Sequence, residues 1–316
     1  INGDFLDFLS VPYVKYFDDQ FWSEAASIEK LKLILQAHPE VFLAIDKFIS
    51  KKNKKLVYIL GNHDSELTLP KVKECFFSVF NQENIGSLEL IDNQESIYLP
   101  HSSICLQHGH DNDHANRIDK SNCLLKDSSG ELYLSPSWGS YFVTRVINKF
   151  KQDRNYINEV KPVKRFVING LIYDTLFTLR FIISSFIYFT MVRFIYYFKL
   201  SKSFSSIKKS VIDELILFKD GEEEANEFLE NNPEVNILIS GHTHLAHFKS
   251  FPNGNVTINT GTWTKTYNLG FEGSQEAVNL TYAKLDILSD SKGQEQIRPN
   301  LYVWKGIRNK PFVDFN

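Results

Sequence analysis

Apolar residues recur at three- and four-residue spacing through SIEKLKLILQAHPEVFLAIDKFISKK (27 to 52), which predicts a helix with a break at Pro39. The period then changes. KLVYIL (55 to 60) is a short continuous apolar run and reads as a buried strand, and a second helical pattern covers roughly Lys71 to Phe80. SIYLP, SICLQH (103 to 108) and, much later, VNILIS (235 to 240) are again short β-type runs, while PNGN (252 to 255) between alternating flanks has the chemistry of a hairpin turn. The first residues, INGDFLDFL, read as the end of a buried strand running into a loop. Strands interleaved with helices point to an α/β class.

The strand-like runs share an ending. Four of them finish in a loop of metal-ligand residue types: Asp4 and Asp7 in GDFLD, Asn62 and His63 in GNHD, His108 and His110 in HGHDND, and His242 and His244 in GHTH. Strand ends at one edge of a sheet converge, so these side chains can meet around one pocket. Of the nine histidines, seven lie in or next to three of these loops, and His38 and His101 stand outside them. Ordinary explanations exist for single members. GNHD alone could be a turn, since Gly and Asn tolerate positive φ and Asp bonds back to its own backbone. His114 and His247 read better as plain core or surface residues, and Asp7 fits a structural loop role as well as an outer-sphere one. Chance clustering is the weaker explanation of the set.

Composition narrows the chemistry. The 316 residues carry 35 basic and 38 acidic side chains for a formal charge of -3, without the polybasic stripe of a nucleic-acid binder, so no nucleic-acid partner is expected. A phosphate-bearing substrate would then have to be held locally, as by metal ions. Three cysteines without a C-x-x-C pair argue for a reducing compartment, giving a cytoplasmic expectation. The chain has no internal repeat, GxSxG elbow, Cys nucleophile motif or Walker loop, which leaves acyl transfer and nucleotide-driven work without support.

In this order, GD-x-x-D, GNHD, H-G-H and GHTH resemble the motifs of the calcineurin-like metallophosphoesterases, with GNHD and GHTH together the specific part of the match. The resemblance covers residue 3 to about 265 and implies a four-layer α/β/β/α sandwich with two divalent metal ions, Mn first and Fe or Zn as alternatives. It makes Asp4 the carboxylate bridging both ions. Asn62, His108 and His242 complete one site, and His244 belongs to the other. His110 rivals His108, which is preferred because it directly follows its strand and leaves Gly109 to make the turn. The resemblance places His63 over the phosphate as an acid or electrostatic stabiliser, oriented by a carboxylate for which Asp64 is the first candidate. The reaction implied is hydrolysis of a phosphomonoester, phosphodiester or pyrophosphate by a metal-activated water.

One departure matters. The family also uses a D-x-H tripeptide before GD-x-x-D, and none occurs in this sequence. The expectation is that the natural gene encodes roughly 30 further upstream residues carrying it, by the spacing of strand–helix–strand units. Without them the second ion keeps only Asp4 and His244, and a gene lacking the motif altogether would favour a non-catalytic, ligand-binding relative.

Residues 1 to 115 and 232 to 290 make up the expected core, 116 to 231 a helical, hydrophobic insertion, and 291 to 316 a polar tail. Within the insertion, KRFVINGLIYDTLFTLRFIISSFIYFTMVRFIYYFK (164 to 199) is rich in Phe, Ile and Tyr, but its longest uncharged run, Phe181 to Val192, is 12 residues. A span needs about 20, which disfavours a transmembrane helix. A helical pair capping the active site is one arrangement. An interfacial element at 166 to 199 that meets the inner face of a membrane or receives an acyl chain is the other. An apolar insertion before GHTH is similar to that of the bacterial UDP-2,3-diacylglucosamine pyrophosphatases, where it holds acyl chains. Here, however, the loop is HGHDND rather than HGD and the insertion exceeds a hundred residues, so broader relatives are the better match. The expected partner is a phosphorylated small molecule or a lipid-linked substrate. Trp138 and Tyr141 are expected to pack the insertion rather than face substrate, Thr260 and Thr262 to mark a strand end, and the acidic run 219 to 234 to form a solvated face.

Overall fold

The computed structural model describes residues 1–13, 19–94, 96–99, 103–113, 115–120, 122–154, 157, 160–161, 163–200, 221–264, 266–270, 273–277, 280–289 and 295–306. The protein is mixed α/β, with helices and several sheets. Helices α1 (Glu24–Ala37) and α2 (Pro39–Ile49) replace the single broken helix expected, because Pro39 opens a new helix at a position where its missing N–H has no role. Ser23 caps α1 by accepting the Ala26 N–H at 3.1 Å. Strand β1 (Leu56–Ile59) follows, then α3 (Pro70–Phe77), and β1 pairs in parallel with β2 (Leu88–Ile91). Asn2 makes a single isolated parallel bridge to Ile59 on the other side of β1, in place of the strand end expected there.

A second sheet of five strands orders as β3 (Ser96–Tyr98), β4 (Ile104–Gln107), β8 (Ile237–Ser240), β10 (Val256–Asn259) and β9 (His247–Ser250). Its three central strands are parallel, and the edge strands run antiparallel. PNGN makes the β9–β10 turn, with Gly254 at φ 89. The parallel β4 and β8 bring the ends of SICLQH and VNILIS side by side, which sets the HGHDND and GHTH loops next to each other.

The insertion begins inside the core rather than apart from it. Ile118, Cys123 and Leu134, around the hairpin of β5 (Leu124–Lys126) and β6 (Leu132–Leu134), lie in the same apolar cluster as Leu31, Tyr58 and Phe76. After it come α4 (Trp138–Phe142), α5 (Asn148–Lys151), the short β7 (Val160–Lys161), α6 (Val163–Tyr173) and α7 (Thr175–Leu200). Trp138 and Tyr141 pack as expected: Trp138 stacks on Phe142 at 5.7 Å between ring centres and Tyr141 meets the edge of Trp22 at 5.3 Å. Among the described residues no helix is long and apolar enough to cross a membrane.

Helix α8 (Gly221–Asn231) lies over the five-stranded sheet, with Ala225 and Leu229 against Cys105 and Leu238 and Glu227 and Glu230 exposed. The hairpins β11–β12 (Thr266–Gly270, Gly273–Ala277) and β13–β14 (Leu280–Ser289, Glu295–Trp304) follow. The last of these reaches into the expected polar tail. In EQIRPNLYVW the side chains of Ile297 and Leu301 fall on one face and pack against the cluster of Ile104, Ile237, Ile239 and Ile258, so strand period outweighs the polar composition.

Candidate metal centre

Asp4, His108 and His242 each offer a ligand atom, and these atoms all lie within 4.8 Å of one another. Local backbone geometry puts them there. Among the described residues four other than glycine have positive φ, and three are Asp4 (51°), His242 (62°) and His244 (63°), in two of the three loops that carry the cluster. Left-handed residues outside glycine are uncommon and concentrate where surrounding structure holds them for function. Gly109, at φ 105, makes the turn directly after His108. Gly3, at φ 77, and Gly61 also serve closeness: a Cβ on Gly3 would fall 2.2 Å from His108 Nδ1 and one on Gly61 2.2 Å from Asp4 Oδ1. Gly61 has no positive φ, so its need for glycine comes from the approach of Asp4 and not from a turn.

Hydrogen bonds fix the donor atoms. His108 Nδ1 lies 2.8 Å from the Asn2 carbonyl, which can only accept, so Nδ1 carries the proton and Nε2 faces Asp4. His108 Nε2 sits 3.1 Å from Asp4 Oδ2, yet the geometry is not that of a hydrogen bond and the buried nitrogen has no hydrogen-bond partner. Asp4 Oδ1 accepts the His63 N–H at 2.9 Å. Burial pushes the Asp4 carboxyl up, and His108 and His63 override it, holding it well below the usual carboxylate range. Burial likewise disfavours charge on His108, but Asp4 lifts its pKa.

Asn62 is buried, and its Oδ1 has no hydrogen-bond partner while its Nδ2 donates to Asn116 Oδ1 at 3.3 Å. His242 Nε2 is 3.1 Å from Asp113 Oδ2. Asp113 is ionised at neutral pH: burial raises its pKa, but bonds from His242, Asn116 and the Ala115 N–H bring it down to about 2. Nε2 of His242 therefore donates, which leaves Nδ1 as the lone-pair nitrogen. A carboxylate, two imidazoles and an orphaned amide oxygen, all partly or fully buried, make a donor set that fits a divalent transition metal.

The expected role of Asp64 needs correction. Asp64 is fully buried, and its oxygens are taken by the Gly61 N–H (2.6 Å), the Phe5 N–H (2.9 Å) and the Tyr58 hydroxyl (2.5 Å). The carboxylate that orients His63 is Asp7, whose Oδ1 lies 2.9 Å from His63 Nδ1. Consecutive residues of a tight loop diverge, so Asp64 turns back to brace GNHD while Asp7 arrives from the neighbouring loop. Burial opposes charge on His63, but Asp4 and Asp7 raise its pKa to about 10, making it an imidazolium at neutral pH.

His110 and His244 stand outside the triad among the described residues. His110 is buried with neither ring nitrogen hydrogen-bonded, its ring centre 5.3 Å from that of His108; burial and His108 keep it neutral, well below the usual imidazole range. His244 is half-buried, in the left-handed conformation noted above. His247 lies on β9, and His101 and His114 fall outside the described residues. Thr260 bonds the Ser240 carbonyl through its N–H at 2.9 Å, and Thr262 pairs with Thr264, as a strand end would. Asp113 and Asn116 escaped the sequence reading, although HGHDND displays Asp113 as its last residue, three positions after His110.

Comparison of the chain with protein-family models, with curated proteins and with solved structures yields no match.

Proposed function

We propose that this protein is a divalent-metal-dependent phosphoesterase of the calcineurin-like type, built on a four-layer α/β/β/α sandwich. The observation that carries this reading is the convergence of Asp4, His108 and His242, with the Asn62 oxygen buried and unpartnered and His63 next to it held by Asp7. Asp4, Asn62, His108 and His242 would hold one cation, Mn first and Fe or Zn as alternatives. Asp4 would also serve a second cation, to which His244 alone belongs, and the family draws the remaining ligands of that cation from the D-x-H segment. Such ions supply Lewis-acid activation of water and charge neutralisation at the phosphate.

The chain's own residues do the rest. Asp4 brings the anionic oxygens that define the centre. His63 has Nδ1 committed to Asp7, which leaves its Nε2–H to donate to a phosphate oxygen or to the departing group, the charge fixed by Asp4 and Asp7. Buried Asp64 holds the GNHD loop in shape so that Asn62 and His63 keep their directions.

A lipid-linked phosphate, with contact at a membrane face through 166 to 199, is the substrate class that the insertion supports. Helices α6 and α7 expose Ile172 (65%), Leu176 (79%) and Phe186 (69%) on a surface that would otherwise be wetted. The place of His244 outside the triad among the described residues favours one rival, a non-catalytic relative that binds a phosphorylated ligand. The deciding experiment is Mn-dependent hydrolysis of phosphomonoester, phosphodiester and UDP-sugar pyrophosphate substrates, with Asn62→Ala as control. Turnover lost in the control supports the esterase; metal-replete protein that turns over none of them supports the binding protein.

A further inference from the structure

The ligand atoms of Asn62 and His242 are set by one shared device. We propose that Asp113 and Asn116 form an outer-sphere clasp that aims the Asn62 oxygen and the His242 Nδ1 at the same cation, and that Gly139 of the insertion holds the clasp shut; this rests on the metal-centre reading above.

The chain of bonds is continuous. Asp113 Oδ2 takes the His242 Nε2–H at 3.1 Å and the Asn116 Nδ2–H at 2.7 Å, while Oδ1 takes the Ala115 N–H at 2.8 Å. Because Asn116 spends its NH₂ on Asp113, its Oδ1 is left to accept, and it accepts the NH₂ of Asn62. Asn62 must then turn its own oxygen the other way, into a buried position with no protein partner. One carboxylate thereby decides a tautomer at His242 and, through Asn116, an amide orientation at Asn62. The two ligands come from different sheets, so the clasp also ties those sheets together at the site.

The clasp is not free to relax. Main-chain N–H groups of Asn116 and Arg117 bond the Asp113 carbonyl at 3.0 and 2.8 Å, and the Asp113 N–H bonds the His110 carbonyl at 3.1 Å. On its outer side Gly139, in the first turn of α4, donates its N–H to the Ala115 carbonyl at 2.6 Å. A Cβ on Gly139 would fall 2.2 Å from Asn116 Oδ1 and 3.1 Å from the Ala115 carbonyl oxygen. A methyl there must move Asn116 or the loop that carries it. The insertion therefore reaches the metal centre through a glycine that offers no ligand.

The test is Mn²⁺ affinity, measured by calorimetry on metal-stripped protein, for the wild type, Asn62→Ala, His242→Ala, Asp113→Ala, Asn116→Ala and Gly139→Ala. Loss of outer-sphere partners costs about 10- to 100-fold in metal affinity, which is the drop expected for Asp113→Ala and Asn116→Ala. Gly139→Ala is expected to weaken binding as well, although it removes no polar group. Thermal unfolding of the stripped proteins separates aim from folding, because Asn116→Ala should unfold close to the wild type while binding Mn²⁺ more weakly. Wild-type affinity in both Asn116→Ala and Gly139→Ala, with Asn62→Ala and His242→Ala weakened, would overturn the clasp and leave the metal centre standing. Failure of the wild type to bind Mn²⁺, or affinity indifferent to Asn62→Ala and His242→Ala, would overturn both.

Discussion

Asp7 and Asp64 sit on neighbouring loops around His63, and replacing each by alanine should do different things. Asp64 is fully buried and accepts three hydrogen bonds, from the Gly61 N–H, the Phe5 N–H and the Tyr58 hydroxyl. Asp64→Ala leaves two buried donors and one partly buried donor without an acceptor. At about 1 to 3 kcal/mol for each unsatisfied group, and with partial relaxation, the loss should be about 3 to 5 kcal/mol of stability. Asp7 is 47% exposed in its side chain and gives up one ion pair with His63, so Asp7→Ala should cost about 1 kcal/mol, well short of the Asp64→Ala loss. Its effect should fall on the chemistry. Complete loss of general acid or base assistance costs about 10²- to 10⁴-fold, and removing only the residue that aims and charges His63 should cost a part of that, about 10- to 100-fold in kcat. Urea denaturation of metal-stripped proteins gives the first quantity, and initial rates at saturating Mn²⁺ give the second. The assignment fails if Asp7→Ala unfolds as readily as Asp64→Ala, or if Asp64→Ala keeps full stability while losing the rate.

Three further outcomes follow from the same geometry. Lys30 and Glu66 form a wholly buried pair at 2.7 Å, with the Lys30 ammonium 3.7 Å from the Phe21 ring centre. Lys30→Met strands the Glu66 charge and should cost about 3 to 5 kcal/mol, whereas Lys30→Met with Glu66→Leu should recover most of it; equal melting of the single and double variants would refute this. The folded pKa of His63, about 10 against 6.5, means that its charge stabilises metal-stripped protein fully below pH 6.5 and loses that contribution as pH rises through 10. NMR should accordingly show no His63 titration between pH 6 and 8, with the midpoint lowered in Asp7→Asn; a wild-type midpoint near 6.5 would contradict it. Finally, Asn62→Ala should reduce bound metal along with the rate, while His63→Ala should reduce the rate with metal retained, and elemental analysis showing equal metal loss would reject that division.

Much of the architecture was legible because strands announce themselves locally. LVYI, ICLQ and ILIS are each a single apolar run closed by a polar loop, and each appears as a strand with its loop at the site. The ligand residue types were legible for the same reason. Their partners were not, since a hydrogen bond between Asp7 and His63 spans 56 positions and one between His242 and Asp113 spans 129. Adjacency in sequence favoured Asp64, but a carboxylate three residues after Gly61 can fold back onto that glycine's N–H, and here it does. Sequence assigned Gly61 to a tight turn, whereas the position of Asp4 is what requires a glycine there. The strand at 295 to 304 was hidden by composition, with Ile297 and Leu301 the visible trace of its period.

The apolar excess of α7 becomes intelligible once its faces are separated. Phe177, Phe181 and Tyr188 are buried and pack with Val146 and Phe150, the Phe150 ring meeting Phe177 and Phe181 edge-on at 5.5 and 5.4 Å. That row is enough to dock the helix. Leu176, Ile183, Ile187 and Met191 recur at intervals of seven and four on another side and remain exposed, as do Ile168 and Ile172 of the preceding helix. A helix serving only as a packed cap needs one apolar stripe, and the second adds nothing to folding. An acyl chain or the surface that holds it would match the chemistry of the second stripe, in line with the lipid-linked substrate proposed above. The same insertion touches the centre through Gly139, so a lipid seated on α6 and α7 would bear on the segment whose first helix braces Asn116. Substrate recognition and metal geometry would then share one piece of chain, which accounts for an insertion that neither the strands nor the ligands require.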